Sequence, residues 1–246
     1  MTEQPDIQTW ANNYPRGHVI ALHAHKFCQL VFARRGARRV VTRSGVWVLP
    51  PGRALWMPAR EPHEVQCRTD VAMRTVYISG RVSLPFVDSC AVLAVSPLMR
   101  ELIVRIVEGP AVEGTQSHLL SLLISELMTG PVMPLNLPEP SDARLARVTR
   151  QLLAEPAEPL SLDDWAAEAG MARRSFARRF TQETGLSFGV WRRRLRLLGA
   201  IELLAAGDPV TLVALEAGYD SVSAFIHAFR REFGVTPGRY FARPED

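Results

Sequence analysis

Three of the six histidines sit where their imidazoles could converge. His23 and His25 are two residues apart, Gln29 follows, and His63 comes from a later stretch. On an extended strand positions 23, 25 and 29 share one side, because side chains alternate. Phe27 and Val31 join that side and Cys28 points away. Neutral imidazole suits Zn, Ni, Cu or Fe, whereas an amide oxygen is a weak ligand for any of them. His23, His25 and His63 are therefore candidate ligands for a divalent metal. With Gln29, and with Trp47 and Trp56 able to stack on a flat ligand, they are also candidate walls of a small-molecule pocket. Chemistry of another kind concentrates at Arg173, Arg174, Arg178 and Arg179. An arginine on a free helix face can donate two parallel bonds to guanine O6 and N7, and an apolar side chain there can meet a thymine methyl. No nucleophile–base triad and no Gly-rich phosphate loop is present.

These groups need a scaffold, and composition bounds it. The chain has 246 residues, 47% hydrophobic and 22% charged, enough for one large domain or two small ones. No run approaches the roughly 18 apolar residues of a membrane span. The start, MTEQPDIQTW, lacks the basic and apolar regions of a secretory signal, so a soluble cytoplasmic protein is expected. Cys28, Cys67 and Cys90 have no CxxC spacing, which argues against a zinc finger or a disulfide framework and fits a reducing compartment. The net charge of +4, carried almost wholly by arginine, is only a weak pointer to a polyanionic partner.

Residues 131–142 hold four prolines and no periodicity, the texture of a linker. Before residue 95 short β-like runs (19–23, 27–32, 46–49, 74–78) alternate with Gly, Pro and Arg clusters, as in a small sandwich or barrel. From Pro97 to Leu127 the spacing turns helical, with a Gly109-Pro110 break. This predicts an antiparallel β domain at 1–95, a helical packing or dimerisation region at 96–130, the linker, and an all-α domain at 143–246. In the last, Ser161-x-x-Asp164 predicts a capping box, and Asp208-Pro209 predicts an N-cap followed by Pro at the first helical position.

The all-α part contains an internal repeat. Ala166, Glu168, Ala169 and Gly170 match Ala214, Glu216, Ala217 and Gly218 at an offset of 48, while Phe176, Phe180, Glu183 and Gly185 match Phe225, Phe229, Glu232 and Gly234 at 49. One copy therefore has an extra residue in its turn. Each copy reads as helix, Gly-containing turn, helix. Phenylalanines four apart bury one face of the second helix. The other face leaves Arg173, Arg174, Ala177 and Arg178, with Thr181, in the first copy, and Val222, Ser223, Ile226, His227 and Arg230 in the second. Between the copies an apolar stripe over 188–206 predicts a helical strut of roughly 28 Å. It would hold two reading helices about one DNA turn apart, near 34 Å. Its opposite face carries Arg192, Arg193, Arg194 and Arg196, placed for phosphates. From residue 141 onward 15 arginines face 14 acidic residues, so the placement of charge carries the argument rather than its sum.

Residues 160–241 resemble the AraC/XylS family of bacterial transcription regulators; AlaGlyTyrAspSerValSerAlaPheIleHisAlaPheArgArgGluPheGlyValThrProGlyArgTyr, at 217–240, is similar to its signature. The resemblance implies binding to double-stranded promoter or operator DNA. The matching base-reading positions are Arg174, Ala177 and Arg178, then Val222, Ser223, Ile226 and His227; Ala177 departs from the polar residue often seen there. It also implies a small-molecule effector, a homodimer, and contact with RNA polymerase in an activator. In the first half, Gly17-x5-His23-x-His25-x3-Gln29-x6-Gly36 resembles the first cupin motif, with Gln for the usual Glu. Gly52-x5-Pro58-x-Arg60-x2-His63 resembles the second, with Arg60 for the usual Gly and Cys67 where Asn often stands. Residues 47–63 also resemble the sensor half of a subgroup of AraC-type regulators. The fold class expected is α+β in two domains. A cupin-like antiparallel β-barrel with helices is followed by two helix-turn-helix motifs joined by a long helix. The function expected is that of a one-component transcription regulator, not an enzyme. A metal-dependent cupin enzyme or metal sensor fused to a DNA-binding domain is the alternative.

Overall fold

The computed structural model describes residues 7–78, 88–110 and 114–241. The chain divides into two compact units, residues 1–43 with 47–136 and residues 44–46 with 137–246. The division falls inside the proline-rich segment.

The first unit is antiparallel β with two helices. The strands of the chain are β1 (Ile7–Tyr14), β2 (Val19–His23), β3 (Cys28–Ala33), β4 (Arg38–Thr42), β5 (Gly45–Leu49), β6 (Arg53–Met57), β7 (His63–Cys67), β8 (Val71–Ile78) and β9 (Ala91–Ala94), with short β10 (Val132–Met133) and β11 (Asn136–Pro138). They form two sheets, ordered β1-β8-β3-β6-β9-β10 and β11-β5-β4-β7-β2. Among the described residues no ladder closes one sheet onto the other, so the expected barrel is an open two-sheet domain with edge strands. The proline-rich segment is not a free linker at its start. Val132 pairs opposite Leu93, and the Val48 amide donates to the Leu135 carbonyl. Proline is tolerated at such sheet edges, where no ladder bond is lost.

Alternation along β3 assigns the two faces of the larger sheet. Cys28, Leu30 and Phe32, with Ala54, Trp56, Val76 and Ile78, pack against Met99, Leu102, Ile103 and Ile106 of α1 (Pro97–Glu108) and Leu120, Leu123 and Leu127 of α2 (Thr115–Thr129). Ser96 caps α1 by accepting from the Met99 amide, Pro97 takes the first helical position, and Gly109 ends it. The helices spend their apolar stripes on this sheet. Leu98 and Leu122, also within these helices, face outward instead.

The second unit is helical: α3 (Ala143–Ala154), α4 (Leu162–Glu168), α5 (Arg173–Thr184), α6 (Phe188–Ala206), α7 (Val210–Glu216), α8 (Val222–Phe233) and α9 (Pro237–Phe241). The capping box at Ser161 and Asp164 forms with both of its bonds. The strut α6 spans the predicted residues and ends at Gly207 in the left-handed region, φ 95°. At α7 the N-cap is Pro209 rather than Asp208, one residue later than predicted, and no side chain caps it.

Candidate functional site

Each repeat folds as helix, turn, helix. The turn between α4 and α5 has four residues, 169–172, and that between α7 and α8 has five, 217–221, which is the one-residue change of offset in the sequence. Gly170 and Gly218 occupy equivalent left-handed positions, φ 63° and 73°. Ala166, Ala169, Ala214 and Ala217 are buried where each helix pair packs, and Phe176, Phe180, Phe225 and Phe229 are fully buried. The repeated glutamates act as pins. Glu183 accepts from the Ser141 hydroxyl and the Asp142 amide, fixing the end of α5 to the start of α3. Glu232 accepts from Arg194 Nε at 2.6 Å, fixing α8 to α6.

With those faces spent, the expected reading faces are outward. On α5 Arg173, Arg174 and Arg178 are exposed and Ala177 is half-buried. Arg173 pairs with Asp163 at 2.7 Å, both about 60% exposed, so the pair is weak and breakable. Arg174 and Arg178 have no acidic partner among the described residues. On α8 Ser223, His227 and Arg230 are exposed, Val222 and Ile226 half-buried, and Ser221 caps the helix by accepting from the Ala224 amide. Thr181 is exposed, its hydroxyl donating to the Ala177 carbonyl.

The strut arginines correct the expectation of a free phosphate-facing side. Arg192 donates to the Leu160 and Glu158 carbonyls, Arg196 to the Pro156 carbonyl, and Arg194 to Glu232. These three arginines hold neighbouring segments onto α6. A helix pattern separates polar from apolar faces but does not say whether the polar face meets solvent or another segment. Arg193 is half-buried with an enclosed Nε.

The first unit contains a cavity of about 290 Å³. His23, His25, Gln29, Val31 and His63 line it with Trp10, Tyr14, Ile20, Val65, Met73, Thr75 and Tyr77. The three histidines converge, but not from one strand. His23 ends β2, His25 lies in the turn beyond it, and His63 opens β7 directly opposite His23 in the ladder. Ring centroids are 4.2 Å apart for His23 and His63, and 4.8 Å for His23 and His25. One ring nitrogen of each lies within 4.8 Å of the others. Tyr77 meets the His25 ring edge-on at 5.0 Å. Burial, then the neighbouring His23 and His63, pulls the His25 pKa down to about 4; burial also lowers that of His63.

Gln29 and Val31 face the cavity and Cys28 faces the helices, as alternation predicts; Phe27 is not a lining residue. The tryptophans depart from expectation. Trp56 is fully buried on the helix-covered face, and Trp47 is buried with its indole N–H donating to the Thr42 hydroxyl at 3.0 Å. Neither lines the cavity. Trp10, Tyr14 and Tyr77 supply its aromatic surface, and they lie on strands whose sequences gave no ligand pattern.

Arg38 was also missed. It is 0% exposed, donates to the Val31 carbonyl at 2.8 Å, and its Nε and Nη1 have no partner among the described residues. The available signal was the run Arg38–Thr42, where alternation puts Arg38 on the same inward side as Val40 and Thr42.

A model of the AraC-like ligand binding domain matches residues 8–159, and one of a helix-turn-helix domain matches residues 165–243. The chain is 34% identical over 226 residues to the HTH-type transcriptional regulator NimR of Escherichia coli (strain K12), covering 90% of this chain and 82% of that one. It is 24% identical over 258 residues to the HTH-type transcriptional activator RhaR of Klebsiella pneumoniae, covering 95% and 91%. Among solved structures ToxT from Vibrio cholerae aligns over 96% of this chain and 98% of its own, at 10% identity and a TM-score of 0.41.

Proposed function

Because the chain belongs to the AraC family of DNA-binding transcription regulators, we propose that it is a one-component regulator that reads an operator with α5 and α8 and senses a small molecule in the histidine-lined cavity. The observation that carries this reading is the pair of matched helix-turn-helix units, each with its phenylalanines buried and its opposite face open. Arg174 and Arg178 are placed to read guanines. Val222 and Ile226 suit thymine methyls, and Ser223 and His227 offer further base contacts. Arg173, on opening its exposed pair with Asp163, Arg193 on the strut and Arg230 contact phosphates. Ala177 contributes closeness rather than a hydrogen bond.

Occupancy of the cavity biases the protein toward one DNA-bound arrangement, as any ligand with unequal affinity for two states must. A homodimer formed through α1 and α2 is supported by the exposed Leu98, Leu122 and Met128. In an activator the DNA-bound protein would also touch RNA polymerase. The site of action is the cytoplasm, where its DNA lies. The cavity serves as a sensor rather than an active centre, because the helical unit gives it a readout. Selection of binding sequences from a random duplex pool tests the reading. Two half-sites about one helical turn apart are expected. No enrichment above the starting pool would overturn it.

A further inference from the structure

We propose that His23, His25 and His63 hold one divalent transition-metal ion whose remaining coordination position opens into the cavity, so that the effector is an anionic molecule that ligates the metal. This rests on the sensor reading of the same cavity. Three imidazoles from two strands and a turn bring one ring nitrogen each within 4.8 Å of the others. Bonds of about 2.0–2.1 Å from a shared ion would need each ring to close in by only about 0.7 Å.

Two of the rings make an outer contact of the kind that metal-bound histidines make. His23 Nδ1 lies 2.7 Å from the Ala21 carbonyl and His63 Nδ1 lies 3.0 Å from the Glu61 carbonyl. A carbonyl only accepts, so each Nδ1 carries the proton, and the lone pair of each neutral ring is on Nε2. Such an outer bond fixes the tautomer and ring angle of a metal-bound histidine. Three imidazoles and no thiolate select Zn, Co, Ni or Cu over Mg or Ca.

Charge then defines the effector class. Among the described residues no carboxylate lines the cavity. Gln29, 3% exposed, stands beside the histidines as an amide. Three neutral ligands leave a dication uncompensated in a mostly apolar cavity, so the fourth ligand must bring negative charge: hydroxide when the sensor is idle, a carboxylate, enolate or similar donor when it is engaged.

The test uses the full chain stripped with a chelator, dialysed, and titrated with cobalt(II) under visible absorption, with DNA binding followed in parallel. One ion per chain is expected, with tetrahedral cobalt bands and no thiolate charge-transfer band. Azide should shift those bands by taking the open position. His63 is buried, so His63→Ala could disrupt folding. His23→Ala and His25→Ala, at half-buried positions, should keep the wild-type circular dichroism yet lose the bands. No uptake of cobalt, zinc, nickel or copper, or uptake that survives both substitutions, overturns the metal site. Normal cobalt bands unmoved by azide overturn the open position. Loss of DNA binding by the stripped and the loaded chain alike would instead strike the regulator reading.

Discussion

Arg178 stands exposed on α5 with no acidic partner among the described residues, whereas Arg192 spends guanidinium nitrogens on the carbonyls of Glu158 and Leu160. Both look alike in the sequence, and only packing separates them. Arg178→Ala should weaken binding to the selected operator by about 1–3 kcal/mol and relax preference at one base pair, measured by anisotropy on single-base variants. Arg192→Ala should instead lower thermal stability by about 1–3 kcal/mol, the range for bonds made by a charged donor, and leave the slope of affinity against salt unchanged. A lost base preference in Arg192→Ala would reverse the assignment. The histidine cluster was legible because three histidines in two motifs pointed to one place. The supposed shared strand was wrong, since the bulge between Ile20 and His23 and the turn after His23 bring His25 in by another route. Arg38 was hidden among 28 arginines, where the surface is the default reading. Among the described residues no acid pairs with its fully buried charge, which therefore costs solvation. Arg38→Met should therefore raise the melting temperature of the ligand-free protein; a fall would mean that the bond to the Val31 carbonyl outweighs that cost.

At the scale of elements, helices were read closely and strands unevenly. Some helix ends carry local signals, a side-chain cap or a glycine; α6, capped by Ser187 and ended by Gly207, agrees at both ends. The run 19–23 is β2, and 27–32 differs from β3 by one residue at each end. In contrast β1 reads IQTWANNY and is exposed along most of its length, so no alternation marks it. It exists because all eight of its residues pair with β8. Short β10 and β11 have the same origin, partners supplied by distant strands. The glutamates matched between repeats gained their meaning only as contacts between elements. The Arg194–Glu232 pair has side chains 16% and 14% exposed, too enclosed for water to replace either partner freely. Glu232→Ala should cost about 1–3 kcal/mol in urea unfolding and loosen α8 more than α5. Equal hydrogen-exchange rates along α8 in the variant and the parent would argue against the pin.

On the whole-molecule scale the sequence revealed two domains because its texture changes, β-like runs before the prolines and capped helices after them. It placed the prolines in a linker, yet the beginning of that segment is built into sheet edges. Proline content reports only that helix is broken, and strand edges break it equally well. The consequence is practical. A fragment cut at residue 141 would discard Pro138, whose carbonyl accepts from the Trp191 indole at 2.9 Å inside the helical unit. Residues 137–246 keep that bond, the Ser141 and Asp142 contacts to Glu183, and the four buried phenylalanines. This fragment should fold on its own and bind the selected operator with no effector present. The full chain should bind more tightly if its first unit dimerises, because a second helical unit is then held at high effective concentration near the neighbouring half-site. Calorimetry, followed by anisotropy on one-half-site and two-half-site duplexes, decides the matter. A cooperative melt with affinity below that of the full chain, the gap vanishing on a single half-site, is the expected pattern. An unfolded fragment would mean that the helical core is completed by the first unit. Equal affinity on two half-sites would mean that the first unit contributes nothing to pairing, and the exposed leucines of α1 and α2 would then need another occupant.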